Sequence, residues 1–125
     1  MTATRTTQMT QMTQMTWTAV CAVDAIPLEG GVAALVDGQA VAVFRTHDGS
    51  VHALGNIDPF SQASVLSRGI VGSRGDVPVV SSPMYKQAFD LRTGRCLDDE
   101  AVSVPAYDVA VVDGRVLVGA PREAT

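Results

Sequence analysis

Few side chains in this sequence carry chemistry on their own. The two cysteines, Cys21 and Cys96, lie far apart, and neither belongs to a Cys-x-x-Cys pair. Two thiols cannot supply a four-thiolate iron–sulfur or zinc site. Free cysteine is among the most buried residue types, so both are expected as buried structural thiols. Nothing marks the chain as secreted, which leaves a disulfide without support. Cys96 has no neighbouring base that would make it a nucleophile. His47 and His52 flank Asp48-Gly49. A tight turn there would put them on opposite sides of a hairpin with no third ligand, so they read as surface residues and not as a metal pair. No Ser/His/Asp or Cys/His arrangement, no phosphate-cradling glycine loop and no spaced carboxylate pair is visible. The acidic run Asp98-Asp99-Glu100 reads as a solvated loop. The expectation is a chain with no catalytic, cofactor-binding or metal-ligating residue of its own.

The stretch with the most internal organisation is "VVSSPMYKQAFDLRTGRC", Val79 to Cys96. An apolar run stops at Ser81-Ser82-Pro83. Tyr85 and Lys86 follow, then an amphipathic strand from Gln87 to Leu91 and a Thr93-Gly94 turn. Upstream lies "NIDPFSQASVLSRGIVGSRGDVP", too long for a hairpin loop and too apolar for a linker. Long ordered loops in compact domains are usually functional or well packed. Asp58-Pro59 resembles a helix start, with Asp58 as N-cap and Pro59 at the first helical position. One short helical turn is expected from Phe60 to Leu66.

The elements that must position these loops are strands. "GVAALV" and "QAVAVFRT" are split by Asp37-Gly38, and "VSVPAYDVAVV" and "RVLVGA" by Asp113-Gly114. Asp-Gly tolerates the positive φ values of a type I′ turn, so each pair reads as a hairpin. Asp48-Gly49 repeats the device before "SVHALGN". In the last hairpin Tyr107, Val109 and Val111 share a face with Val116 and Val118, which is period two and not 3.6. Short strands with frequent turns indicate an all-β sandwich or barrel.

Composition agrees. With 125 residues, 46% of them hydrophobic, the chain suits one domain with a real core. A net charge of -4, no basic run and 5% aromatic residues exclude a nucleic-acid partner. No run approaches the roughly 20 apolar residues of a spanning helix. The N-terminal "MTATRTTQMTQMTQMT" has no apolar h-region, so it is not a signal peptide, and its methionines are candidate translation starts. Polar repeats of this kind cannot bury enough surface to order themselves, so residues 1–16 are expected to be disordered. The domain is expected at 17–120, with a short tail at 121–125.

The order of loops, strand, Thr-Gly turn and closing hairpin resembles a Rieske [2Fe–2S] domain. In that family one loop carries Cys-x-His and the next Cys-x-x-His, typically followed by a Gly. One iron takes the two thiolates and the other the two imidazoles. Asp58-Pro59-Phe60 and Ser82-Pro83-Met84-Tyr85 stand at those places here. Asp58, Phe60, Ser82 and Tyr85 are therefore vestigial ligand positions, and no thiolate remains to hold iron. Phe60 and Tyr85 are expected to seal the emptied pocket, to form a docking surface, or both.

Over some forty positions from Asp58 to Asp99 the chain resembles one subgroup, the small subunit of assimilatory NAD(P)H-dependent nitrite reductase. The resemblance implies an all-β, Rieske-like (ISP-type) fold of antiparallel sheets in a sandwich or barrel, with an inserted two-loop subdomain at the tip. It implies a cytoplasmic, non-catalytic chain without a cofactor. Its partner would be a large subunit carrying FAD, an iron–sulfur cluster and sirohaem, which reduces nitrite to ammonia in nitrate assimilation. The alternative is a generic Rieske-like interaction module with another redox partner. Arg68, Arg74, Lys86, Arg92 and Arg95 hold five of the nine basic residues of an acidic chain within 28 positions. Of these, Arg68, Lys86 and Arg92, with Tyr85, are the candidate partner contacts.

Overall fold

A computed structural model describes residues 17–122. The expectation for residues 1–16 lies outside them, as do residues 123–125. Nine strands follow one another: β1 (Thr18–Ala22), β2 (Gly30–Val36), β3 (Gln39–Arg45), β4 (Val51–Gly55), β5 (Ile70–Arg74), β6 (Val77–Ser81), β7 (Ala88–Asp90), β8 (Ala106–Val112) and β9 (Arg115–Pro121). They form a six-stranded sheet in the order β1-β9-β8-β4-β3-β2 and a three-stranded sheet in the order β5-β6-β7. Every ladder is antiparallel. The small sheet is thus an insertion between β4 and β8, as the two-loop subdomain requires. No helix among the described residues is long and apolar enough to cross a membrane.

The Asp-Gly turns do what their backbone preferences allow. Asp37 and Gly38 have φ of 52° and 77°, and Asp113 and Gly114 repeat these values. Positive φ at both central residues matches the right-handed twist of the flanking strands. The third Asp-Gly differs. Only Gly49 is left-handed there, at φ 89°. Thr46 N–H donates to the Ser50 carbonyl at 2.9 Å, and Ser50 N–H donates to the Asp48 carboxylate at 3.0 Å. The loop is therefore longer than a two-residue turn.

β3 explains the chain's most apolar run. Val41, Ala42, Val43 and Phe44 are all fully buried. Alternation sends Ala42 and Phe44 into one core and Val41 and Val43 into another. The first core joins the large sheet to the insertion through Leu54, Leu66, Val80, Phe89 and Leu91. The second is closed by Ile26, Tyr107, Val116 and Val118. The expected face of the last hairpin holds for Tyr107, Val109, Val116 and Val118. Val111 is 48% exposed, because the ribbon runs past the core before it turns.

The cysteines fall in different clusters, Cys96 in the first and Cys21 at the edge of the second, and both are free. Cys96 is buried as expected. Cys21 is only half-buried, because its strand is an edge of the large sheet; that burial pushes its thiol up, against the pull of the Arg115 guanidinium.

Candidate functional site

Two loops form the end of the insertion: residues 56–69, joining β4 to β5, and residues 82–87, joining β6 to β7. The first is organised by Asn56, which is 3% exposed. Its Nδ2 donates to Ser64 Oγ at 2.8 Å, and its Oδ1 accepts from Ser67 N–H at 2.7 Å. Its carbonyl accepts from Leu66 N–H at 3.0 Å. One side chain thereby spans the loop in place of a secondary structure. The helical turn expected from Phe60 to Leu66 does not form there. Gln62 N–H reaches the Asp58 carbonyl for a single turn at 2.7 Å, and a 3₁₀ turn appears later, at Leu66–Arg68. Gln62 is left-handed at φ 66°, which ends any helix at that point.

The 82–87 loop is short and tight. Ser82 N–H donates to the Gln87 carbonyl at 2.9 Å, and Lys86 N–H to the Ser82 carbonyl at 3.0 Å. Met84 N–H donates to Ser82 Oγ at 3.2 Å. Lys86 closes the turn at φ 68°. Behind it the Thr93-Gly94 turn supports the strand that carries the loop. Gly94 has φ 82°, and a Cβ there would stand 2.1 Å from the Val104 carbonyl oxygen. Only glycine fits.

The loops meet through Asp58 and Ser82, both fully buried. Ser82 Oγ donates a short hydrogen bond to Asp58 Oδ2, and Asp58 Oδ1 accepts from Phe60 N–H at 2.8 Å. The capping role expected of Asp58 is thus present, but on a turn and not on a helix. Phe60 is half-buried and packs on Phe89, with ring centroids 6.3 Å apart and planes tilted by 50°. Tyr85 is 56% exposed. Phe60 therefore closes the pocket and Tyr85 does not, because the tight 82–87 loop holds Tyr85 out at its crown.

This arrangement does not suit the [2Fe–2S] group of the Rieske domains that the chain resembles. The four positions offer a carboxylate, a phenyl ring, a hydroxyl and a phenol, with neither thiolate nor imidazole. The two residues at the cysteine places touch each other directly and are sealed from solvent, so no space separates them.

The basic residues divide by pairing. Arg74 bonds Asp98 at 3.0 Å, and Arg92 grips Asp90 through two hydrogen bonds of 3.2 Å. Burial works against the Asp90 charge, but the Arg92 contacts outweigh it and hold the carboxyl below its usual range. Asp98 is held low by the Ala88 N–H, at 2.9 Å, and by Arg74. It fastens the insertion's strands while staying exposed, like Asp99 and Glu100, so the acidic run is the solvated loop expected of it. Arg68, Lys86 and Arg95 have no ion pair among the described residues.

His47 and His52 do not lie on opposite sides. Both line a cleft of about 430 Å³ beside the insertion, with Asp48, Asp76 and Arg92. The longer Thr46–Ser50 loop brings them to one side. Among the described residues no group of three His, Cys, Asp or Glu side chains is placed to hold a metal. His52 is half-buried, and burial keeps its imidazole below its ordinary value against the pull of Asp48.

Sequence reasoning missed Asn56 and Asp98 as organisers and Lys86 as a left-handed residue. The first two act on backbone groups far along the chain, so spacing carries no signal for them. Lys86 had one signal: it directly follows the place of the second histidine, where the Rieske pattern typically has Gly.

Fold and loops together define a Rieske-like domain, and residues 16–119 match the model of the Rieske-like [2Fe-2S] domain family. Within it, the chain belongs to the family of nitrite reductase small subunits. It is 47% identical over 98 residues to the nitrite reductase (NADH) small subunit of Salmonella typhimurium, covering 78% of this chain and 91% of that one. A crystal structure assigned to the NADH-dependent nitrite reductase small subunit of Mycobacterium tuberculosis superimposes with a TM-score of 0.82 at 53% identity, covering 89% of this chain and 98% of that one. A third relative is a nitrite reductase [NAD(P)H] large subunit from Klebsiella oxytoca. It is 46% identical over 101 residues, which are 81% of this chain but only 10% of that protein.

Proposed function

We propose that this chain is the non-catalytic small subunit of a cytoplasmic NAD(P)H-dependent nitrite reductase, and that it binds and supports the large subunit in nitrate assimilation. The observation that carries this reading is the Klebsiella relative: there a segment like this whole domain is part of the large-subunit polypeptide itself. A domain found both as a separate chain and inside its partner's chain is expected to work in contact with that partner. The large subunit would supply FAD, an iron–sulfur cluster and sirohaem, and this chain none of them. The absence of thiolate and imidazole at Asp58, Phe60, Ser82 and Tyr85, the vestigial ligand positions, supports a cofactor-free role.

The contact is assigned to the insertion's tip. Tyr85 is exposed there, and Arg68 and Lys86 carry charge that no carboxylate among the described residues neutralises. Arg92 is the weaker candidate, since Asp90 already holds its guanidinium. Co-expression with the matching large subunit tests the reading. A complex that survives size exclusion and oxidises NAD(P)H on addition of nitrite faster than the large subunit alone is expected. No complex and an unchanged rate would refute it.

A further inference from the structure

Five non-glycine residues among those described have left-handed backbone: Glu29, Asp37, Gln62, Lys86 and Asp113. Asp37 and Asp113 sit in type I′ turns, where short polar side chains tolerate the conformation. Of the other three, Gln62 and Lys86 both stand on the two tip loops, tied to each other through Asp58 and Ser82. A long side chain in this region costs stability that glycine would not. Backbone strain of this kind persists where a function needs the side chain.

The surroundings of Lys86 say what that function is. Of the ten exposed large apolar side chains among the described residues, Ile57, Ile70, Met84, Tyr85 and Leu97 are at this end of the molecule. Ile57 precedes the buried Asp58. Ile70 pairs across the ladder with Ser81, and Leu97 N–H bonds the Ala88 carbonyl at 2.8 Å, so both flank the 82–87 loop. Five exposed apolar side chains thus share this end of the molecule with Lys86. Scattered exposed apolar residues need no explanation, but a cluster rimmed by charge marks an interaction site. The chain as a whole carries -4, so a cation at the tip is opposite in sign to the net charge.

We propose that the tip is a plug for an apolar socket with an acidic group at its floor on the large subunit, in which Lys86 is held in strained backbone so that its ammonium meets that acid while Met84 and Tyr85 fill the socket. The proposal rests on the large subunit being the partner. It makes Lys86 a binding residue kept at the expense of fold stability, and that combination has a signature of opposite signs.

The experiment measures the affinity of the full chain for the purified large subunit, and the Tm of each free variant. K86R retains backbone and charge and binds within about threefold of the parent. K86Q retains backbone and loses charge, and it binds at least tenfold more weakly with an unchanged Tm. K86G loses the charge and relieves the strain, so it binds at least tenfold more weakly while its Tm rises by roughly 2–4 °C. Tyr85→Ser, at an exposed position, weakens binding at least tenfold and moves Tm by less than about 1 °C. If the parent binds but K86Q, K86G and Tyr85→Ser bind equally well, the plug is wrong and the partner stands. A fall in Tm for K86G also overturns it, since no strain was then present. If the parent itself does not bind, both the partner and the plug fall.

Discussion

Replacing Ser82 by Ala removes the fastener between the two tip loops. In the parent, Ser82 Oγ donates to Asp58 Oδ2 and accepts from Met84 N–H at 3.2 Å. Both Ser82 and Asp58 are fully buried. Leaving a buried acceptor such as Asp58 Oδ2 without its partner costs ~1–3 kcal/mol. The neutral bond to Met84 contributes about 1 kcal/mol more. The expected destabilisation is therefore roughly 3 kcal/mol. Unfolding entropy is roughly 2.1 cal/mol/K per residue. Over the about 106 described residues, that converts to a fall in Tm of roughly 13 °C. Urea titration is the assay of choice, because an unchanged m-value certifies that the native state is still compact. Asp58→Asn and the double variant complete a cycle whose coupling energy isolates the pair. A loss under about 0.5 kcal/mol for Ser82→Ala, or zero coupling, would refute the view that this contact holds the tip closed.

Three further outcomes follow from the geometry. Phe60→Ala removes half-buried ring area and the contact with Phe89, so chemical denaturation should show a loss of about 2 kcal/mol, below the 3–5 of a fully buried Phe. Gly94→Ala places a methyl carbon against the Val104 carbonyl in left-handed backbone, and its circular dichroism and NMR dispersion should be those of an unfolded or loosened chain. His52 titrates below its ordinary 6.5 in the folded protein, chiefly through burial. The unfolded chain then binds the proton first, so stability is full above that value and declines as pH falls below it. His52→Asn should flatten the decline of the urea midpoint between pH 6.5 and 5; an identical slope would show that other groups set it.

The legible parts of the fold are those whose cause is local. Asp37-Gly38 and Asp113-Gly114 declare their turns because both residues must take positive φ, and few pairs can. The fully buried β3 is visible as an unbroken apolar run whose alternation feeds two cores. Thr93-Gly94 is legible for the same kind of reason, although the carbonyl of Val104 that enforces the glycine is not. Asp58-Pro59 has the local chemistry of a helix start, which is why the sequence suggests a helical turn from Phe60 to Leu66 that the 56–69 loop does not form. Its shape is set by Asn56 reaching Ser64 and Ser67, and by Ser82 from another strand pair. The candidate partner residues show the same limit. Composition groups five cations together, but only folded geometry reveals that Asp98 and Asp90 hold Arg74 and Arg92 while Arg68, Lys86 and Arg95 have no ion pair among the described residues. The exposure of Tyr85 likewise depends on the closure of the 82–87 loop, which spacing does not encode.

In the proposed role this Rieske-like chain serves the large subunit through its surface and without a cluster. The most direct measurement adds the purified chain, with iron and acid-labile sulfide assayed on the same sample, to the large subunit and follows nitrite-dependent oxidation of NAD(P)H. A saturable rise in rate is expected from protein containing no iron. The proposed role falls if the iron-free chain has no effect, or if activity appears only after a [2Fe–2S] cluster is built into it.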